Sequence, residues 1–443
     1  MSSHFFEKIL PLLSSLSNPI NFAEANSHAA LNKIGRSTKG GRPPILTHSE
    51  IVAALTWHVL QGVGVFSHNA AQLNAKPVSD SALSERRTSL GIKPWTDTLE
   101  RFLAHNTDGD SLPGAFYMGL RLVGIDGTTF NVSNTPTVKA TTEKIKSRKG
   151  LSAFFRLSSV ALVALASHRP LAVKIGLSGE SEGALAEQLI SALASDDLLI
   201  ADRYYGNGKW LGRLESLVSR PFYLLRVQER LDSRWIKTLS DSSRLVEIWD
   251  PCCQEFILVR EIKARVKRPG NPWTEVRFWT DLLNAERFPA VELVALYALR
   301  WEQEITFREL KEHLHGSLIL KSHTLPTAVQ EICALFMAQT IVVCVRVEVA
   351  LSQGLPVLEV SFAKTLDGCR NLCWLWALLG EELDPDTWAK IEDKVRQGLK
   401  AQATKPRRKR TCPRKVRQPV TKWPRLIHNV YQKGEIQFEI RKS

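Results

Sequence analysis

Four side chains in the stretch YALRWEQEITFRELK are of types that handle phosphate and metal ions: Tyr297, Arg300, Glu304 and Lys311. Their steps of three, four and seven put them on one strip of an α-helix. Arg300 can fork onto a phosphate with two hydrogen bonds, and Lys311 offers a point charge. Tyr297 can hydrogen-bond a phosphate or stack on a base. The bland alternative is a solvated face with an i, i+4 pair between Arg300 and Glu304, worth only about 0.3–0.5 kcal/mol. That accounts for the pair and leaves the Tyr and the Lys on the same strip unexplained.

Two aspartates complete a possible constellation. Asp126 closes the apolar stretch LRLVGID and Asp202 closes LLIAD. Strand ends in α/β sheets are where ligand sites form. Either Asp alone reads as a turn or cap residue. Three carboxylates meeting at one point repel one another unless a cation lies between them. Two Mg²⁺ ions, with Mn²⁺ as a substitute, suit such hard oxygen donors. That arrangement is suited to in-line phosphoryl transfer.

These residues must be positioned by a fold. Up to about residue 110 the pattern is helical. LTHSEIVAALTWHVLQGVG opens with Thr47 and Glu50 at capping-box spacing and ends in glycine. SHNAAQLNAKPVSDSALSERRTSLG reads as a short helix, a turn at Pro77 and a second helix ending in Glu85, Arg86 and Arg87. It fits a DNA-gripping helix–turn–helix and an ordinary helical hairpin alike. From residue 119 short strands alternate with helices, with TFNVSN as a candidate second strand and a turn at His168, Arg169 and Pro170. The order strand–strand–strand–helix–strand–helix–strand predicts a mixed α/β sheet. Residues 228–285 are strand-like, a long helix is predicted over 290–315, and apolar helices follow.

The chain has 443 residues and 44% apolar content, in the globular range. Its net charge of +14 points to a polyanionic partner. Much of that charge sits in 400–425, where Lys and Arg recur with no acid; this segment is expected to be disordered until it meets an anion. A second basic run carries Lys144, Lys146, Arg148 and Lys149. The seven scattered cysteines have no zinc spacing and read as reduced thiols in a cytosolic protein. ICALFMAQTIVVCV is too short to span a bilayer and reads as a buried helix.

The spacing Y-x2-R-x3-E-x6-K, read at Tyr297, Arg300, Glu304 and Lys311, resembles the YREK signature of bacterial DDE transposases of the insertion-sequence-four family. IDGTTF around Asp126 and ADRYYGN around Asp202 resemble that family's aspartate motifs, with Tyr204 where the family usually has glycine. The resemblance implies an RNase H-like mixed-sheet catalytic domain over 113–325 with a β-rich insertion at about 228–285. It also implies a helical N-terminal DNA-binding domain at 1–112, a helical C-terminal region at 326–399 and a basic tail at 400–443. Asp126, Asp202 and Glu304 become the catalytic, metal-binding triad for two Mg²⁺ ions. Tyr297, Arg300 and Lys311, with Arg86, Arg87, Lys144, Lys146, Arg148 and Lys149, become candidate DNA contacts, and Trp273 or Trp279 a platform for a flipped base. The implied activity is cleavage at terminal inverted repeats through a hairpin, then joining to target DNA. The implied partners are double-stranded DNA and a second copy of the chain, in the cytoplasm at the nucleoid and away from membranes. A plain metal-dependent nuclease and a catalytically idle DNA-binding descendant are the rivals.

Overall fold

The computed structural model describes residues 45–402 and 437–440, apart from 75, 106–111, 113, 145, 148–149, 178, 229, 268–271 and 380–381. Four helices come first: α1 (His48–Gln61), α2 (Phe66–Asn74), α3 (Asp80–Leu90) and α4 (Lys93–His105). Then follow β1 (Phe116–Tyr117), β2 (Leu120–Val132), α5 (Pro136–Thr141), β3 (Lys146–Ser147), β4 (Gly150–Leu151), β5 (Phe155–Ala164), β6 (Arg169–Ile175), α6 (Glu182–Glu187), β7 (Asp197–Ala201), α7 (Gly208–Glu215) and β8 (Phe222–Val227). The chain continues through β9 (Arg234–Thr238), β10 (Arg244–Asp250), β11 (Glu255–Lys267), β12 (Thr274–Thr280), α8 (Ala290–Leu296) and α9 (Trp301–Arg308). Last come α10 (Leu325–Leu351), α11 (Phe362–Leu379), α12 (Pro385–Gln402) and β13 (Gln437–Ile440).

The chain divides into two compact units, one holding residues up to 116 with 125–192 and 302–405, the other 117–124 with 193–301 and 406–443. The first unit is organised around α10, whose residues are buried on nearly every side. An apolar helix of this kind belongs in a core. It has the length and apolarity of a membrane span, but 89% of its most apolar window is buried in the protein. Helices α1, α4 and α11 and strand β6 pack against it. The N-terminal and C-terminal helices therefore share one core.

Local chemistry sets the ends of these helices. Thr47 caps α1 in a full capping box with Glu50, and Gly62 closes it at φ 70°. Ser79 caps α3 by accepting the Ala82 N–H. Thr135 caps α5, which occupies the start of the expected basic stretch. β5 and β6 form an antiparallel hairpin.

In the second unit, β2 pairs in parallel with β7, and β7 in parallel with β8. Antiparallel β12, β11, β10 and β9 extend the sheet, in the 228–285 segment that read as strand-like. A buried Arg260 holds this segment together, donating to Ser243 Oγ at 2.8 Å and to the carbonyls of Leu282 and Phe288 at 3.0 and 2.7 Å, and pairing with Asp241. Paired in this way, the buried cation keeps hydrogen-bond partners.

Across β6, β5, β2, β7 and β8 the hydrogen-bonded order, counted along the chain, is third, second, first, fourth, fifth. The fold is mixed α/β, as expected. Two expectations need correction. TFNVSN is not a separate strand: β2 runs unbroken to Val132, because Thr128, Thr129 and Val132 keep extended geometry after Asp126. The long helix over 290–315 is not one α-helix. It is α8, a 3₁₀ turn at Tyr297–Arg300, α9, and a π-helical turn at Glu309–His315. The wide turn lets Glu309, Leu310 and Leu314 all face inward.

Candidate active site

Asp126 is half-buried within β2, and its Oδ1 accepts the N–H of Gly127 at 2.8 Å. The pairing of β2 with β7 runs from Arg121 opposite Asp197 to Gly124 opposite Ile200. Each strand reaches its aspartate two residues after that last pair, at Asp126 and Asp202. Asp202 opens a turn: its Oδ1 accepts the Tyr204 N–H at 2.8 Å and its carbonyl accepts the Tyr205 N–H at 3.1 Å. Tyr204 is absent from the described non-glycine residues with positive φ, so this turn does not need the family's usual glycine.

Gly127 packs against an acidic side chain. A Cβ there would lie 2.7 Å from Cδ and 2.8 Å from Oε2 of Glu182. The Glu182 carboxylate thus lies close against the residue that follows Asp126. No sequence signal marked Glu182, which reads as an ordinary first-turn acid of α6 behind the Ser181 cap.

Glu304 is half-buried on α9, while Gln303, Ile305, Thr306 and Phe307 around it are buried. The inward residues fix the helix. Gln303 Nε2 donates to the Ala161 carbonyl on β5 at 3.3 Å, and Gln339 Nε2 of α10 donates to the Thr306 carbonyl at 3.0 Å. Among the described residues, no three His, Cys, Asp or Glu side chains are grouped closely enough to hold a metal ion. By type alone, carboxylate donors suit a hard divalent cation.

The other candidates fare differently. Lys311 donates to the Thr129 carbonyl of β2 at 2.8 Å and sits over the Phe130 ring at 5.2 Å. Burial lowers the pKa of its ammonium. It lines a cavity of about 470 Å³ with Thr129, Asn131, Glu312 and His315 among the walls. The Tyr297 ring packs on Phe278 with centroids 4.7 Å apart, and Arg300 is half-buried at the end of the same 3₁₀ turn. A 3₁₀ turn advances about 120° per residue and an α-helix about 100°, so the four YREK residues do not follow the single α-helical strip read from their spacing.

Arg87 is engaged inside the protein. Its Nε donates to Gln330 Oε1 at 3.1 Å, and its Nη2 to the Thr327 carbonyl at 2.9 Å and Ser322 Oγ at 3.4 Å. It also lies over Phe66, and burial pulls its pKa down to about 10. Arg86 is half-buried beside it. Lys144 donates to the Ala153 carbonyl at 2.8 Å. The Lys146 side chain, Arg148, Lys149 and nearly all of the basic tail lie outside the described residues. Trp279 is 1% exposed, donates to Glu261 and carries Arg277 over its ring, so it packs the sheet and offers no face for a base. Trp273 is half-buried, with Arg265 and Lys267 over its ring at 5.3 and 5.8 Å.

The family model described as "Transposase DDE domain" matches residues 118–341, a span that contains Asp126, Asp202 and Glu304. Transposase InsG for insertion sequence element IS4, from Escherichia coli (strain K12), is 26% identical over 273 residues. That alignment covers 60% of this chain and 60% of InsG, so the chain spans about 60% of the length of this curated relative. A cryo-EM structure of the piggyBac transposase synaptic complex with hairpin DNA aligns over 84% of this chain and 80% of that one, at 10% identity and a TM-score of 0.44, a likeness too weak to argue from. The match over half of the sequence settles the family, and the chain belongs to the transposase DDE domain family.

Proposed function

We propose that this chain is a transposase. It binds the terminal inverted repeats of an insertion sequence, cleaves both DNA strands by Mg²⁺-dependent phosphoryl transfer through a hairpin, and joins the ends to target DNA. The observation that carries the reading is the family match over 118–341, which takes in all three carboxylates. Asp126, Asp202 and Glu304 would hold the metal ions. When bound, two divalent ions supply activation of the attacking oxygen and stabilisation of the leaving one.

The chain's own groups do the rest. The Asp202 turn and the Gly127 N–H orient two of the carboxylates. Lys311 and Arg300 neutralise phosphate charge along the end DNA. Tyr297, its ring braced on Phe278, contributes an edge or hydroxyl near a displaced base. Two copies acting on two ends make the synaptic complex.

The test incubates purified protein with Mg²⁺ and a labelled duplex bearing the element's terminal repeat and flank. Hairpin and strand-transfer products support the proposal. Simple nicks without joining identify a nuclease instead, and a mobility shift without cleavage identifies a binding protein.

A further inference from the structure

A buried charge cluster stands behind the helix that carries Glu304. His168, fully buried in the turn between β5 and β6, places Nε2 2.8 Å from Glu302 Oε2 and Nδ1 2.7 Å from Glu309 Oε2. The ring thus lies within hydrogen-bond distance of two carboxyl groups at once. Glu309 also faces Arg346 of α10 at 3.4 Å, and Arg346 Nε donates to the Val360 carbonyl at 2.7 Å. Two acids, an imidazole and a guanidinium thus form one set, buried except for the half-buried Glu302.

The geometry of this set is specific. Glu302 and Glu309 lie seven residues apart, one on α9 and one in the π-helical turn, and Glu304 lies between them in sequence. His168 grips both. Its backbone is left-handed, at φ 67°, a conformation that non-glycine residues rarely adopt unless their surroundings impose it. Buried ion pairs are often replaceable by apolar packing, so folding alone does not call for an ionic clamp here.

We propose that His168 is a positioning residue for Glu304: by bridging Glu302 and Glu309 it fixes the axial register of the α9–π-turn segment, so that Glu304 meets its metal ion in one place. This rests on the reading of Glu304 as a metal ligand.

The experiment uses the full chain with His168→Gln and Glu302→Leu variants, a terminal-repeat duplex, and four readouts: melting temperature, DNA affinity, cleavage rate against Mg²⁺ concentration, and Mn²⁺ binding to the protein–DNA complex by electron paramagnetic resonance. A misplacement of about 1 Å at a reacting centre costs on the order of 100-fold. His168→Gln should therefore keep DNA affinity within about twofold, lose about 10- to 100-fold in cleavage, and need more Mg²⁺ and Mn²⁺ for half-saturation. Wild-type cleavage and metal dependence in folded His168→Gln overturn the proposal, as does a cleavage loss matched by an equal loss of DNA affinity. If His168→Gln does not fold, Glu302→Leu decides, because Leu removes the group that meets Nε2. Unaltered metal dependence there overturns the proposal, and a raised requirement at unchanged melting temperature supports it. Glu304→Ala is the separating control. Cleavage surviving in Glu304→Ala removes the functional reading and the positioning role together; cleavage lost in Glu304→Ala but normal in His168→Gln removes only the latter.

Discussion

Replacing Arg87 with Met separates two roles that the helical pair α2–α3 leaves open. If Arg87 anchors α3 to α10, its loss is a stability effect; if it reads phosphate, its loss is a salt effect. The structure favours the anchor and gives its size. Met retains the stem that packs beside Phe66 but loses three donated hydrogen bonds, to Gln330, Ser322 and Thr327. The Thr327 carbonyl keeps its bond from Ser322 Oγ at 2.9 Å, and the Gln330 amide keeps its bonds to the carbonyls of Arg87 and Gly91. The Gln330 carbonyl oxygen loses its Arg87 donor. A stranded buried acceptor costs about 1–3 kcal/mol, and losing bonds from a charged donor brings the total to about 2–4 kcal/mol. At about 2–4 °C per kcal/mol for a domain of this size, the melting temperature falls by about 5–15 °C. Thermal unfolding followed by circular dichroism measures this. DNA affinity over a salt series, below the melting range, measures the alternative. An unchanged melting temperature, with the slope of log affinity against log salt reduced by about one, would refute the anchor.

Gly127→Ala brings a methyl group against the carboxylate end of Glu182, a flexible side chain that can swing aside, so the melting temperature should fall by no more than a few degrees; a large fall in thermal unfolding would contradict this contact. Burial raises Asp281 to about 7 even though it accepts the Tyr223 N–H at 2.9 Å. Above the unfolded carboxylate range the folded state holds this proton more tightly, so its contribution is complete at low pH and is lost as pH rises toward 7. Asp281→Asn should flatten that decline in denaturant titrations of the second unit. His48 and His58, both pushed down to about 4 by burial, act in the opposite sense, so the first unit should lose stability as pH falls from about 6.5 toward 4. A common pH response in both units would contradict these assignments.

Local signals were legible where the interaction is local. Thr47 and Glu50 mark the start of α1 three residues apart, and the apolar runs LLIAD and FYLLRV fall on β7 and β8. The alternation of elements was enough to anticipate a mixed sheet. Partners distant in sequence were not legible. His168 meets Glu302 and Glu309 across 134 and 141 positions, and Arg87 meets Gln330 across 243, so neither spacing nor periodicity carries them. The YREK spacing suggested one α-helix because α geometry was assumed. Burying Glu309, Leu310 and Leu314 together widens the turn, which no propensity scale encodes.

The central claim is that Asp126, Asp202 and Glu304 hold the metal ions for DNA cleavage and joining. Converting Asp126 or Asp202 to Cys exchanges a hard oxygen donor for a softer sulfur, which tolerates Mn²⁺ better than Mg²⁺. The measurement is strand transfer of a terminal-repeat duplex by Asp126→Cys and Asp202→Cys in Mg²⁺ and in Mn²⁺. The account predicts no joining in Mg²⁺ and recovered joining in Mn²⁺ for each variant, with the Ala variants inactive in both. Joining in Mg²⁺ at the wild-type rate by either the Cys or the Ala variants would contradict it.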